Sequence, residues 1–188
     1  MADKLVQENP EVQQTSIPDG TDARSLPFRI GHGYDVHRFG SGDHIVLAGV
    51  TIPYHAGFIA HSDGDVLIHA LCDALLGAIA AGDIGRHFPD NDKRYKNINS
   101  QILLEKVIKM VSEKAYIVAN IDTTIIAQKP KLSAYIQPMQ DRLATIFSLS
   151  AEQINIKATT TEHLGFTGRE EGIAVHAVVM IYKKHPDG

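Results

Sequence analysis

Between Phe28 and Tyr182 the apolar residues of this chain switch repeatedly between strand-like and helix-like spacing, and that alternation constrains the fold more than any other feature. Phe28 to His37 alternate as a half-buried strand does. His44 to Val50 with Thr51-Ile52 predict a second short extended stretch, punctuated by Gly49 and Pro53. Val66, Leu67, Ala70, Leu71, Ala74, Leu75 and Ala78 recur at helical spacing, which predicts a helix capped by Ser62 or Asp63, running to about Ala81 and ended by Gly82. Residues 82–97 are rich in Gly, Pro, Asp and Asn and predict a loop. Asn99 or Ser100 opens a second helix whose apolar stripe is Ile102, Leu103, Val107, Ile108 and Val111. A strand over Tyr116 to Ala127 is stopped by Pro130, and a third helix covers roughly Ser133 to Phe147, with Pro138 at its start or at a kink. Ile154 to Ala158 and Gly172 to Tyr182 are the closing strands. This order predicts an α/β (α+β layered) fold, a mixed β-sheet with helices on one face. The other face is left bare, so the pattern favours its burial in an oligomer.

The 188 residues suit one domain. Residues 1–27 have little apolar periodicity and read as a flexible N-terminal tail, and residues 28–188 as a single domain. The apolar runs are broken well short of the roughly 18 residues of a membrane span, and no signal-peptide core precedes Phe28. One cysteine, Cys72, allows no intrachain disulfide. The expectation is a cytoplasmic protein with no membrane partner. A net charge of -4 argues against a general nucleic-acid binder. An acidic chain that binds a phosphate-rich small molecule needs local positive charge from a metal, helix N-termini or a few basic side chains.

The ten histidines make metal ligation worth testing by spacing. In Asp35-Val36-His37, residues two apart on a strand share a face, so the carboxylate and the imidazole can reach one ion while Val36 packs behind. Alone, the pair is better explained by an Asp orienting a His without metal. His69 changes the balance: it sits in the apolar run Val66 to Leu71, with Asp65 four positions before it and Asp73 four after, one polar stripe on one helix face. That stripe is best explained if it faces Asp35 and His37, giving three ligands and an open position, with either carboxylate able to orient the imidazole instead. His61, Ser62 and Asp63 precede the helix, where backbone N–H groups favour an anion, although a plain cap accounts for Ser62 or Asp63 equally. Thr159, Thr160 and Thr161 at a strand end offer hydroxyls, or simply β-propensity. Arg169, after the glycines at 165 and 168, suits phosphate, and Asp83 suits a ribose with Gly85 permitting close approach.

Arg29 through His37, His61-Ser62-Asp63-Gly64-Asp65 with His69, Gly82-Asp83-Ile84-Gly85, and Lys157 through Gly168 resemble, in the same order, the 2-C-methyl-D-erythritol 2,4-cyclodiphosphate synthase family, from about Phe28 to about Tyr182. The resemblance implies a homotrimer with active sites between subunits. It implies a cytidine diphosphate substrate, 4-diphosphocytidyl-2-C-methyl-D-erythritol 2-phosphate, closed to the cyclic diphosphate with loss of CMP in the non-mevalonate isoprenoid pathway. It puts one Zn²⁺ on Asp35, His37 and His69, and a second divalent ion, Mg²⁺ or Mn²⁺, with the substrate, for which Glu162 is the candidate carboxylate. His61 and Thr160 are implied as catalytic. Substrate contacts are implied for Asp35, Val36, His37, His61, Ser62, Asp83, Ile84 and Gly85, and for Phe88, Pro89, Asp90, Asn91 and Asp92. Ala127, Gln128, Lys129, Pro130, Lys131, Leu132 and Ser133 are implied as a cytosine pocket, though many members carry proline where this chain has Ala134. Thr159, Thr160, Thr161, Glu162, Phe166 and Arg169 complete the implied contacts.

Two other classes fit the same residues. A zinc phosphohydrolase of nucleotide diphosphates would use the three ligands to activate water. A non-catalytic protein would hold an isoprenoid diphosphate in an apolar trimer channel, with Arg169 and Phe166 as its contacts.

Overall fold

The computed structural model describes residues 26–60, 62–89, 92–95 and 98–184. The tail expected over 1–27 therefore lies outside the described residues apart from Leu26 and Pro27, and His61, Asp90 and Asn91 lie outside them too. In chain order the elements are β1 (Phe28–Gly40), β2 (His44–Leu47), β3 (Val50–Pro53), β4 (Gly57–Phe58), α1 (Val66–Ala78), α2 (Ile84–His87), α3 (Ser100–Glu113), β5 (Tyr116–Ile126), α4 (Ile136–Phe147), β6 (Ile154–Thr159), α5 (Gly165–Gly168) and β7 (Gly172–Lys183). The main sheet runs β4-β1-β7-β5-β6, antiparallel except for the parallel pair β5–β6, so the fold is the mixed-sheet α/β type that the sequence predicts.

The expected single extended stretch at 44–52 is instead a hairpin, β2 against β3. Its turn is Ala48-Gly49, both at positive φ, and the sequence cue was Gly49. The turn is held from outside by Asp65, whose two carboxylate oxygens accept the N–H groups of Ala48 at 3.0 Å and Gly49 at 2.6 Å. Asp65 also caps α1, accepting from Ile68 N at 3.0 Å, so the cap is neither Ser62 nor Asp63 and the helix begins later and ends earlier than predicted. The polar loop at 82–97 contains the short α2 and a 3-10 turn at Lys93–Tyr95. In α3 the core-facing residues include Leu104, while Ile102 is exposed, a one-residue rotation of the predicted stripe.

Helix α1 is apolar almost all round because it is enclosed on both sides, by the sheet beneath it and by α3 and β2 above it. Its fully buried Leu67, Ile68, Leu71, Leu75 and Leu76 each contribute about 1.5–3 kcal/mol by burial. The helix lies directly on β1 because Gly31 and Gly33 carry no side chain: a Cβ at either would collide with the backbone carbonyl of Ala74 or Ala70. That close approach fixes the distance between the next residues along, Asp35 and His37 on β1 and His69 on α1.

Among the described residues the opposite face of the sheet carries no helix. Ile30, Tyr34 and Val36 of β1 and Val178 and Tyr182 of β7 stand out on it, Ile30 being 64% exposed. His32 Nε2 and His176 Nδ1 meet there at 3.0 Å, with the Tyr34 ring 4.7 Å from that of His176. Among the described residues no helix is long and apolar enough to cross a membrane.

Candidate active site

Strand period and helix position together build the first half of the site. Asp35 and His37 alternate onto the α1 side of β1, and Val36 points to the bare face. His69 enters from the first turn of α1, its N–H closing the first helical bond to Asp65 O at 3.0 Å. Asp35 Oδ2 stands 3.1 Å from His37 Nδ1 and 3.3 Å from His69 Nδ1. An ion with tetrahedral bonds of about 2.0–2.1 Å has edges of about 3.3 Å, so these separations are those of neighbouring ligands around one cation. Asp35 Oδ2 and His37 Nδ1 are also buried without a hydrogen-bond partner, a costly state that a metal relieves. The set of one carboxylate and two imidazoles suits a divalent transition metal, and these are the residues whose ligand atoms all lie within 4.8 Å of one another.

The electrostatics agree. Burial pushes the Asp35 carboxyl up, but the close approach of the His37 and His69 imidazoles outweighs it and holds it well below the usual carboxylate range. Burial pushes the His69 imidazole down, and the Asp35 carboxylate more than reverses that, so His69 sits above its ordinary value. This is the coupling expected of groups arranged around a positive charge, with a proton standing in for it.

The polar stripe predicted on α1 is not one site. Asp65 is fully buried beneath the hairpin turn, its carboxyl pushed up to about 6 by burial against the pull of its backbone donors. Asp73 is raised by burial, and its Oδ1 accepts the Ile84 N–H at 2.7 Å, anchoring α2. Neither orients an imidazole. The partners of His69 Nε2 are instead Ser100 Oγ at 3.0 Å and Ser62 Oγ at 3.2 Å.

A cavity of about 310 Å³ opens over the three ligands, lined by Asp35, His37, Ser62, His69, Ile84, Gly85 and Phe88 among the predicted residues. The sequence reading missed its apolar wall: Ile59, Ala60, Tyr95, Ile98 and Leu103. For Tyr95 and Ile98 the signal was present as apolar residues in and beside an otherwise polar loop, which a solvent-exposed loop has no reason to keep. Asp83, Pro89 and Asp92 lie outside this lining; Asp83 caps α2 through Arg86 N at 2.9 Å, and the Asp92 carboxylate is taken by Arg94 at 2.6 Å.

A second cavity, about 630 Å³, lies at the ends of β5 and β6. Every residue from Ala127 to Ser133 lines it, with Thr159, Thr160, Ile136 and Ala158. The loop leaves β5 through Ala127, whose N–H donates to Thr159 O at 2.9 Å, and the Lys129-Pro130 bond is cis. Beyond it, Thr160 Oγ1 donates to Glu162 Oε1 at 2.8 Å, Thr161 Oγ1 to Leu164 O at 2.6 Å, and Arg169 pairs with Glu171 at 2.8 Å. Thr161, Glu162, Phe166 and Arg169 line neither cavity in this chain.

Comparison with known proteins places this arrangement. The sequence profile of the YgbB family matches residues 28–182. The chain is 61% identical over 155 residues to the 2-C-methyl-D-erythritol 2,4-cyclodiphosphate synthase of Ectopseudomonas mendocina, covering 82% of this chain and 99% of that protein. Its fold is similar to that of the bifunctional IspDF of Campylobacter jejuni, with a TM-score of 0.80 and 47% identity over 83% of this chain, which spans 42% of that longer protein. It is likewise similar to Plasmodium falciparum IspF solved as a CDP complex, with a TM-score of 0.75 and 33% identity, covering 86% of this chain and all of that one.

Proposed function

The chain belongs to the YgbB family of 2-C-methyl-D-erythritol 2,4-cyclodiphosphate synthases, and from that premise we propose how its two cavities divide the reaction. The enzyme converts 4-diphosphocytidyl-2-C-methyl-D-erythritol 2-phosphate to 2-C-methyl-D-erythritol 2,4-cyclodiphosphate and CMP. An oxygen of the 2-phosphate forms a bond to the β-phosphorus while the bond from that phosphorus to the CMP oxygen breaks, and no water is consumed. Nucleophile and leaving group belong to one molecule, so the protein's work is positioning and offsetting charge.

The cavity over Asp35, His37 and His69 takes the β-phosphate and the methylerythritol unit. Its apolar wall of Ile59, Phe88, Ile98 and Leu103 fits a methylated carbon chain and keeps water away from the phosphorus. Asp35, His37 and His69 would hold a zinc ion, which would supply Lewis acidity, and Glu162 would be the carboxylate for a magnesium or manganese ion that would offset phosphate charge. Ser62 donates its hydroxyl to a phosphate, and His61 and Thr160 stabilise the charge that develops during transfer. The cavity lined by Ala127 to Ser133 takes the cytosine, read mainly by backbone groups, with Thr159 at its rim toward the diphosphate. A CDP complex of a structural relative supports a nucleotide there. Ile84, Gly85 and Phe88 face the substrate from the α2 side, and contacts from Asp83, Pro89, Asp90, Asn91 and Asp92 belong to the same proposal. The helix-free sheet face, with Ile30, Tyr34, Val36, Val178 and Tyr182 exposed, supports a homotrimer in which the two half-sites of neighbouring subunits meet. Phe166 and Arg169 then serve a neighbouring half-site or an isoprenoid diphosphate on the trimer axis.

The observation that carries this reading is the pair of orphaned buried ligand atoms, Asp35 Oδ2 and His37 Nδ1, facing His69 beside an apolar cavity. The test is turnover of the nucleotide substrate in oxygen-18 water. Equimolar CMP and unlabelled cyclic diphosphate are expected. Label in an open-chain phosphate product would reject the cyclase and favour the phosphohydrolase.

A further inference from the structure

His69 presents its two ring nitrogens to two different environments. Nδ1 faces the carboxylate of Asp35 at 3.3 Å. Nε2 faces away from it, 3.0 Å from the hydroxyl of Ser100, the fully buried first residue of α3. Ser100 is itself clamped. Its hydroxyl donates to Asp63 Oδ1 and its backbone N–H donates to Asp63 Oδ2 at 3.1 Å. Asp63 is fixed in turn, accepting from Asp65 N at 3.3 Å and donating its own N–H to Ile98 O at 3.2 Å. Ser62 Oγ, 3.2 Å from the same ring nitrogen, accepts from Gly64 N at 3.1 Å and lines the cavity, so its one proton is available there.

With the Ser62 proton spent in the cavity, the Ser100–Asp63 pair sets the tautomer. A hydroxyl has one proton to give, and a carboxylate only accepts. The Ser100 proton goes to Asp63, which leaves the Ser100 oxygen to accept from His69. Nε2 is then the protonated nitrogen, and the Nδ1 lone pair is bare on the side of Asp35 and His37. The opposite tautomer would donate Nδ1–H to Asp35 and present no lone pair to a cation.

We propose that Ser100, held by Asp63, is a positioning residue that fixes His69 in the Nε2–H tautomer and so keeps Nδ1 open to a divalent cation. The proposal rests on the metal reading above. It also gives the two-residue link between the loop before α1 and the start of α3 a purpose beyond packing, since outer partners of a ligating histidine commonly set metal affinity by 10- to 100-fold.

The test uses the full-length chain. The His69 tautomer is read by ¹⁵N NMR of the zinc-loaded wild type, which needs no variant to fold. Zinc dissociation constants are measured by chelator competition for the wild type, His69→Ala, Ser100→Ala and Asn99→Ala. Asn99 caps the same helix end through Gln101 N at 2.9 Å and does not touch His69, so it controls for loss of helix stability. The expected results are an Nε2–H tautomer, zinc affinity lowered about 10- to 100-fold by Ser100→Ala, and affinity unchanged in Asn99→Ala. An Nδ1–H tautomer in the wild type, or Ser100→Ala binding zinc as the wild type does while His69→Ala loses it, overturns the relay alone. Wild-type affinity in His69→Ala would instead overturn the metal site itself.

Discussion

The two cavities are built from different parts of the chain's chemistry. The one at β1 and α1 is made of side chains on regular elements: a strand places Asp35 and His37 on one face, a helix turn delivers His69, and two glycines set the gap between them. The one at β5 and β6 is made largely of a loop, with seven consecutive residues from Ala127 to Ser133 along its wall. Side-chain sites depend on particular residue types and tolerate almost no substitution. Backbone sites depend on the path of the chain and tolerate many, provided the path and the space are kept. The first is suited to holding a cation and a polyanion in fixed register. The second is suited to reading the edge of a base.

That contrast can be broken by substitution, and the largest effect belongs to the ligands. Asp35→Ala or His69→Ala should abolish zinc binding and slow CMP release by about 10³-fold or more, of the order seen when a group acting only in the transition state is removed. Affinity for CMP, which lacks the β-phosphate assigned to the metal cavity, should change little. Metal analysis, single-turnover kinetics and calorimetry check the three parts.

Asp65 sharpens the comparison because it shares a helix face with His69 but serves the fold. Asp65→Ala strands the N–H groups of Ala48, Gly49 and Ile68, each at a cost of about 1–3 kcal/mol. A loss of about 3 kcal/mol or more in urea unfolding is expected, with one zinc still bound per folded chain. Loss of zinc without loss of stability would move Asp65 into the metal site.

Ala158→Leu tests the loop-built cavity by filling it. Ala158 lines that cavity and is exposed, so the larger side chain enters the space without overpacking the core. KM should rise about tenfold or more while zinc content and stability hold, because roughly 1.4 kcal/mol of base contact is lost.

The smallest effect is one of pH. The raised imidazole of His69 keeps its proton to higher pH than an ordinary histidine, and zinc must displace that proton. Zinc affinity should therefore be full above the raised value and fall about tenfold per unit as pH drops below it. CMP affinity should not follow that titration, since among the described residues no imidazole lines the cavity of Ala127 to Ser133.

The same contrast explains what the sequence disclosed. The ligand triad was legible because strand and helix periods fix which residues share a face, so Asp35, His37 and His69 could be brought together without coordinates. The strands at 116–126, 154–159 and 172–183 were legible for the same reason. The role of Asp65 was not. A buried carboxylate four residues from a ligand looks the same on a helical wheel whether it faces a metal or a turn, and the turn at Ala48-Gly49 was hidden inside what read as one extended stretch. Ser100 was visible only as a helix start, because its partner Asp63 lies 37 residues away in the chain. The apolar wall of the first cavity was missed because Ile98 belongs to no periodic run and the stripe that holds Leu103 reads as core.

The most direct test is diffraction at the zinc absorption edge on crystals of the full chain. A single anomalous peak within about 2.0–2.2 Å of Asp35 Oδ2, His37 Nδ1 and His69 Nδ1 is expected. Zinc found elsewhere, or bound through only one of the three, would contradict the shared site on which the chemistry depends.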